Sequence, residues 1–199
     1  KNVQDILTKN KKTHEVVLFS HSWDQIAYFQ NPFFQGDFFH PGFLNLSQNL
    51  FDELKIKIDL KNTISHSLNS VFSYQFVAKP LFWKKWLNIA DKFFDFCENN
   101  KSELANKLNK ITTYGTGTVS MKAPIQERLA TLILTTENFK VFSLNYSQII
   151  PVYKKLFNEN IYTRGLLQTC DLLKIKYCNT KEKKFLDMYY NTKKLIPIN

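Results

Sequence analysis

Long apolar runs are missing from this sequence. The longest stretches, residues 130–134 and 70–78, fall well short of the roughly 20 residues that a helix needs to cross a bilayer, so no membrane span is expected. The first residues alternate polar and apolar side chains and lack the continuous apolar core and small-residue cleavage site of a signal peptide. Cysteine is also sparse. Cys97, Cys170 and Cys178 are odd in number, and neither their spacing nor their neighbours make a zinc pattern. They read as reduced thiols, which fits a cytoplasmic protein. Arginine is nearly absent: Arg128 and Arg164 are the only two among 27 basic residues. A net charge of +10 invites a polyanion as partner. Yet the bidentate fork suited to phosphate and base edges is almost missing, and lysine carries the charge. The lysines are scattered over the expected helices, which argues against a nucleic-acid-binding face. The charge still favours an anionic ligand, such as a nucleotide diphosphate, or the acidic inner surface of a membrane.

What is present is enough apolar and aromatic material for one sizeable core. The chain has 199 residues, 44% of them hydrophobic, with 18 Phe, 9 Tyr and 3 Trp, so a disordered body is excluded. Residues 15–20 (EVVLFS) form a short β-branched run followed by polar and aromatic residues, which reads as a buried strand delivering a loop. In open α/β sheets the loops beyond the carboxyl ends of parallel strands build the ligand crevice, and His21, Trp23 and Asp24 would stand there. Residues 31–42 (NPFFQGDFFHPG), with two prolines and two glycines, are expected to form a structured loop and not a regular helix. Helices are expected over 43–54, 81–98, 102–110 and 124–134, and strands over 70–78 and 140–144. The stretch 114–120 (YGTGTVS) reads as a small-residue loop. Beyond it, helices over 148–157, 163–173 and 181–195 suggest a helical C-terminal extension, residues 146–199, packed on an α/β domain of residues 1–145.

Three constellations bear on chemistry. His21, Asp24, Asp37 and His40 are the densest group of imidazoles and carboxylates, able to hydrogen-bond a polyol, move protons or hold a metal, although their spacing matches no standard metal motif. Trp23, Tyr28, Phe33, Phe34, Phe38 and Phe39 can stack on a sugar or a base, or simply fill the core. Trp23 and Tyr28, beside Gln25, are the better pocket candidates because each has a polar tip. Glu127 and Arg128 fall near the start of the helix after Pro124, where the carboxylate is either a buried ion-pair partner or a base. Gly115-Thr116-Gly117 lacks both the Walker lysine and the six-residue dinucleotide fingerprint.

Gln35-Gly36-Asp37, His40-Pro41-Gly42, the run Tyr74-Gln75-Phe76-Val77-Ala78-Lys79-Pro80 leading into Phe82-Trp83, and Glu127-Arg128-Leu129 occur in one order. Together they resemble glycosyltransferase-like proteins encoded in bacterial surface-polysaccharide (capsule and lipopolysaccharide) loci, over residues 16–144. The resemblance implies a GT-A-like, Rossmann-like sheet flanked by helices. It also implies transfer of a sugar from a nucleotide-sugar donor to a cell-surface glycan precursor, or a carbohydrate-binding or assembly subunit that has lost donor binding. Carried over by position, Asn31, Gln35, Gly36, Asp37, His40, Pro41, Gly42, Glu127 and Arg128 would be site residues, with Asp37, His40 or Glu127 as the base. The sequence departs from the pattern in two ways. It starts almost at its first strong strand, so the early β-α-β unit that holds the nucleotide is expected to be truncated or contributed elsewhere. It also lacks the Asp-x-Asp that holds manganese or magnesium on the donor diphosphate.

Overall fold

Val16, Val17 and Leu18 are all buried, and their unbroken apolar run marks a strand covered on both faces. They are the centre of the sheet in a computed structural model that describes residues 2–114 and 117–199. In chain order the elements are α1 (Val3–Asn10), β1 (Val16–Leu18), α2 (Trp23–Tyr28), α3 (Pro32–Phe39), α4 (Phe43–Glu53), β2 (Phe76–Ala78), α5 (Pro80–Asn99) and α6 (Glu103–Asn109). They continue with β3 (Ile111–Tyr114), β4 (Gly117–Ser120), α7 (Lys122–Gln126), α8 (Leu129–Thr136), β5 (Val141–Ser143), α9 (Ile161–Thr180) and α10 (Lys183–Lys194). The architecture is mixed α/β with helices dominant. One sheet has the order β2-β1-β5, with β1 antiparallel to β2 and parallel to β5; the second is the hairpin β3-β4.

Residues 31–42 are not the loop that their prolines and glycines suggested. Asn31 caps α3, its Oδ1 accepting from the backbone N–H of Phe33 (2.9 Å) and Phe34 (3.2 Å), and Pro32 takes the first helical position, where a missing N–H costs nothing. Gly36 lies mid-helix because the Phe43 ring occupies the space of its absent side chain: a Cβ there would sit 2.4 Å from a ring carbon. Gly42, at φ 92°, then turns the chain into α4.

The expected strand over 70–78 shrinks to its last three residues, and β2 is an edge strand, not a central one. Ser73 and Tyr74 adopt left-handed backbone (φ 54° and 53°), which ends any extended ladder. Upstream, side-chain hydroxyls stand in for a neighbouring strand. Thr131 Oγ1 accepts from Val71 N–H (3.0 Å) and donates to Val71 C=O (3.1 Å), and Ser20 Oγ accepts from Phe72 N–H (3.2 Å).

Three further expectations are corrected. The helix over 124–134 is two helices, α7 and α8, with Glu127 and Arg128 at the break, although Ile125, Leu129, Leu132 and Ile133 do face inward, each with no exposure. Residues 117–120 are strand β4, not loop, while Gly115 and Thr116 lie outside the described residues. Residues 148–157 are irregular. Pro151 disfavours helix at Ile150, and the segment is instead pinned from outside: Trp23 Nε1 donates to Ile150 C=O (3.0 Å), Asp24 accepts from Tyr153 N–H, and Glu159 accepts from Val152 N–H (2.6 Å).

The C-terminal hairpin α9-α10 shares a core with α2. Trp23, Ala27, Tyr28 and Phe29 pack with Val152, Leu167, Cys170 and Tyr189. Two other clusters fill the space between α4, α5 and α8 and between the sheet and α8. Cys97 and Cys170 are buried and Cys178 half-buried, all as free thiols. Among the described residues no helix is long and apolar enough to cross a membrane.

Candidate functional site

The parallel pair β1 and β5 ends on one side of the sheet, and a cavity of about 370 Å³ opens there, within the size range of small-ligand sites. Ser20 and Trp23 come from the end of β1 and the start of α2, and Ser143, Asn145, Ser147 and Gln148 from the end of β5 and its loop. Gln168 and Asp171 come from α9, and Ser67 from the segment that crosses below. Hydroxyls, carboxamides and one carboxylate thus surround an indole and the side chains of Ile26, Leu68, Leu144, Leu172 and Ile175. Such a lining suits a ligand with one apolar face and many hydroxyls.

The loop that forms one wall is held in place. Arg164 donates to the carbonyls of Ser147 and Ile150, pairs with Glu159 (2.7 Å), and lies 5.3 Å above the Trp23 ring. Gln168 Nε2 donates to Ser147 Oγ (3.0 Å), and Asn145 Oδ1 accepts from Ser147 N–H (3.0 Å) and Oγ–H (2.7 Å). Opposite, Asp171 accepts from Ser67 N–H (2.9 Å) at Oδ1 and from Ser67 Oγ–H (2.6 Å) at Oδ2.

Tyr146 stands between this cleft and a second, shallower hollow of about 450 Å³ that also holds His21, Tyr74 and Gln75. His21 Nδ1 lies 2.6 Å from Gln75 Oε1. A carbonyl oxygen only accepts, so Nδ1 donates to it, and in the neutral ring Nε2 is then the acceptor atom. Tyr74 Oη–H donates to Gln126 C=O, and burial, reinforced by the charge of Glu127, pushes its phenol well above the ordinary range.

The residues singled out in the sequence divide between this site and the scaffold behind it. Trp23 lines the cleft and His21 the adjoining hollow. Asp24 turns inward, 2% exposed, accepting from Tyr153 and Gln25 N–H; burial raises its pKa against those two bonds. Tyr28 is buried beneath Lys193, whose Nζ lies 4.5 Å from the ring centroid. Asn31 is spent on the α3 cap and on the carbonyls of Leu60 and Thr63, both at 2.8 Å. Asp37 Oδ1 accepts from Gly42 N–H (3.0 Å) and Leu44 N–H (2.9 Å), which caps α4.

Gln25, Gln35 and Arg128 form one chain. Gln35 Nε2 donates to Gln25 Oε1 (2.9 Å), and Arg128 donates to Gln35 Oε1, Pro124 C=O and Pro32 C=O (2.8 Å), its guanidinium 4.9 Å from the centre of the Phe43 ring. His40 is half-buried with Nδ1 3.3 Å from Thr112 Oγ1, and burial, then the charge of Arg128, lowers its pKa. Glu127 is half-buried at the α7-α8 break. Asp37, His40 and Glu127 line neither the cleft nor the hollow.

Comparison with known protein families, curated proteins and solved structures found no match. The site's own geometry therefore carries the functional argument. His21, Asp24, Asp37 and His40 do not come together as a metal cage; among the described residues no group of three or more metal-ligating side chains occurs. Ser67, Asn145, Ser147, Gln168 and Asp171 were missed in the sequence because they come from three distant segments. The signal that could have found them is the pairing of two short apolar runs as parallel strands, whose carboxyl ends fix the position of a crevice.

Proposed function

We propose that the protein is a glycosyltransferase-like, saccharide-handling domain of cell-surface polysaccharide assembly that seats a sugar in the cleft beyond β1 and β5. The observation that carries this reading is the cleft's lining: an indole and aliphatic side chains together with hydroxyl, carboxamide and carboxylate groups, beyond the carboxyl ends of parallel strands. A pyranose offers the matching surface, an apolar C–H face for Trp23 and an equator of hydroxyls for Asn145, Ser147, Gln168 and Asp171. A second support is that two segments of the resemblance meet through Arg128 and Gln35, 93 residues apart in the chain, behind the site.

In this reading transfer runs from a nucleotide-sugar donor to a glycan acceptor at the cytoplasmic face of the inner membrane. An acceptor hydroxyl gives its proton to His21 Nε2 while its oxygen bonds to the anomeric carbon. The bond from that carbon to the donor diphosphate breaks, and the nucleoside diphosphate leaves with the electron pair. The exposed Trp83, Leu87 and Phe94 of α5 and the surplus of lysine suit peripheral contact with an acidic lipid surface. A second reading, saccharide binding without transfer, is favoured by one observation: Asp37, a carboxylate that the resemblance makes catalytic, is committed to backbone N–H groups.

The test is incubation with nucleotide-sugars and neutral oligosaccharide acceptors, with nucleoside diphosphate release as the readout and saccharide binding followed by Trp23 fluorescence. Turnover that His21→Asn abolishes supports transfer. Saccharide binding without turnover selects the second reading, and no binding of any saccharide defeats both.

A further inference from the structure

The charge pattern inside the cleft is more selective than its polarity. Its lining holds a single carboxylate, Asp171, and no lysine, arginine or histidine. This is unexpected in a chain whose net charge is +10. The nearest cations are turned elsewhere. Lys174, one turn along α9, is wholly buried and donates to the carbonyls of Ile26 and Phe29 (2.7 Å to the latter) at the end of α2. Arg164 is held by Glu159 and by the Ser147 and Ile150 carbonyls. His66, beside Ser67, is 7% exposed, and its Nδ1 accepts from Leu68 N–H (3.2 Å).

Asp171 itself is fixed and only partly satisfied. Each oxygen takes one hydrogen bond from Ser67, a carboxylate has about four acceptor sites, so about two remain, and Asp171 lines the cavity. Those two oxygens match a pair of neighbouring hydroxyls, or a hydroxyl and an ammonium. A carboxylate or phosphate brought to the same place would meet like charge, and Lys174, whose charge acts on Asp171, is committed to the α2 carbonyls and does not line the cleft.

We propose that Asp171 is the specificity residue of the cleft, which selects neutral or amine-bearing saccharides and rejects uronic acids and phosphorylated sugars. This rests on the saccharide reading above. It also implies that a donor's diphosphate lies outside the cleft.

The experiment measures binding of methyl glucoside, glucosamine and glucuronate to the full chain by saturation-transfer NMR at pH 7 and low salt, with methyl galactoside, methyl mannoside and galacturonate as epimeric controls. The expected result is that uronates bind about tenfold more weakly than their neutral counterparts, or worse, which is 1.4 kcal/mol or more. Raising the salt should narrow that gap. In Asp171→Asn, which keeps an acceptor for Ser67 N–H, the ratio should fall toward one. Uronates that bind the native chain as well as neutral sugars, or a preference that survives both salt and the Asn substitution, would overturn the assignment and leave saccharide binding standing. Failure of every saccharide to bind the native chain would instead remove the underlying reading. Because the ratio and its salt dependence are read on the native chain, the test does not depend on the variant folding.

Discussion

Lys174 reaches from α9 into the interior, and its ammonium donates to Phe29 C=O at 2.7 Å, capping α2 from outside that helix. Ile26 C=O takes a second bond from the same nitrogen. Helix C-termini leave carbonyls without intrahelical partners, and a cation there satisfies them and the helix dipole together. Together with the shared apolar core, these bonds fix α2, and with it Trp23, against the C-terminal hairpin.

Lys174→Met should therefore destabilise the fold, because two buried carbonyls lose their donor at about 1–3 kcal/mol each. Urea unfolding at pH 7 measures this. The pH dependence has a defined sign. Burial lowers the Lys174 pKa from 10.5 to about 8. The unfolded chain thus binds more protons between those values, and stability rises with pH across that window. The rise should be present in the native chain and missing from Lys174→Met.

His66 gives the acid-side counterpart. Burial, outweighing the neighbouring charge of Asp171, lowers its pKa from 6.5 to about 4. Folding then favours the neutral ring, and stability is lost as pH falls from 6.5 through 4, on the order of 3 kcal/mol in all. His66→Asn should flatten the melting temperature over that interval. An unchanged acid slope in the variant would show that the ring titrates freely.

Gly36→Ala tests the packing of α3 on α4. Alanine is the better helix former by about 1 kcal/mol. Its Cβ, however, would lie 2.4 Å from the Phe43 ring, which is fully buried and has nowhere to go. Overpacking of this kind costs about 1–3 kcal/mol, so a net loss of stability is expected in urea unfolding, and Gly36→Ser should be no better.

Asp37 separates scaffold from chemistry. As a cap for α4 it should cost about 0.5–2 kcal/mol when replaced by Ala, whereas Asn keeps an acceptor for the Gly42 and Leu44 N–H groups and should be nearly neutral. If Asp37→Asn folds normally yet loses transfer, the carboxylate is chemical as well as structural.

The elements legible in the sequence are those specified by local signals. α5 shows its Pro80 start and its apolar stripe, α6 its Ser102 cap, and β1 and β5 their short apolar runs. The failures have tertiary causes. Proline and glycine in 31–42 read as breakers, but Pro32 sits where a helix tolerates it and Gly36 answers to a ring seven residues on. Val71 and Phe72 look like strand, but their partners are hydroxyls of Thr131 and Ser20. Residues 148–157 look helical until Trp23, Asp24 and Glu159 claim their backbone. For the candidate site, the residues after β1 place Trp23 in the cleft and His21 in the hollow, whereas Asp37 and His40 line neither.

Ser20 lies where the scaffold meets the cleft. Its oxygen already takes the amide proton of Phe72, so the hydroxyl's own hydrogen must point elsewhere, and the cavity is the side it lines. A residue that is chemically ambivalent in water is thereby biased toward donating at the cavity that Asp171 also lines. A guest that offers an oxygen to one wall and a hydroxyl to the other would be bound in one orientation and not in its reverse.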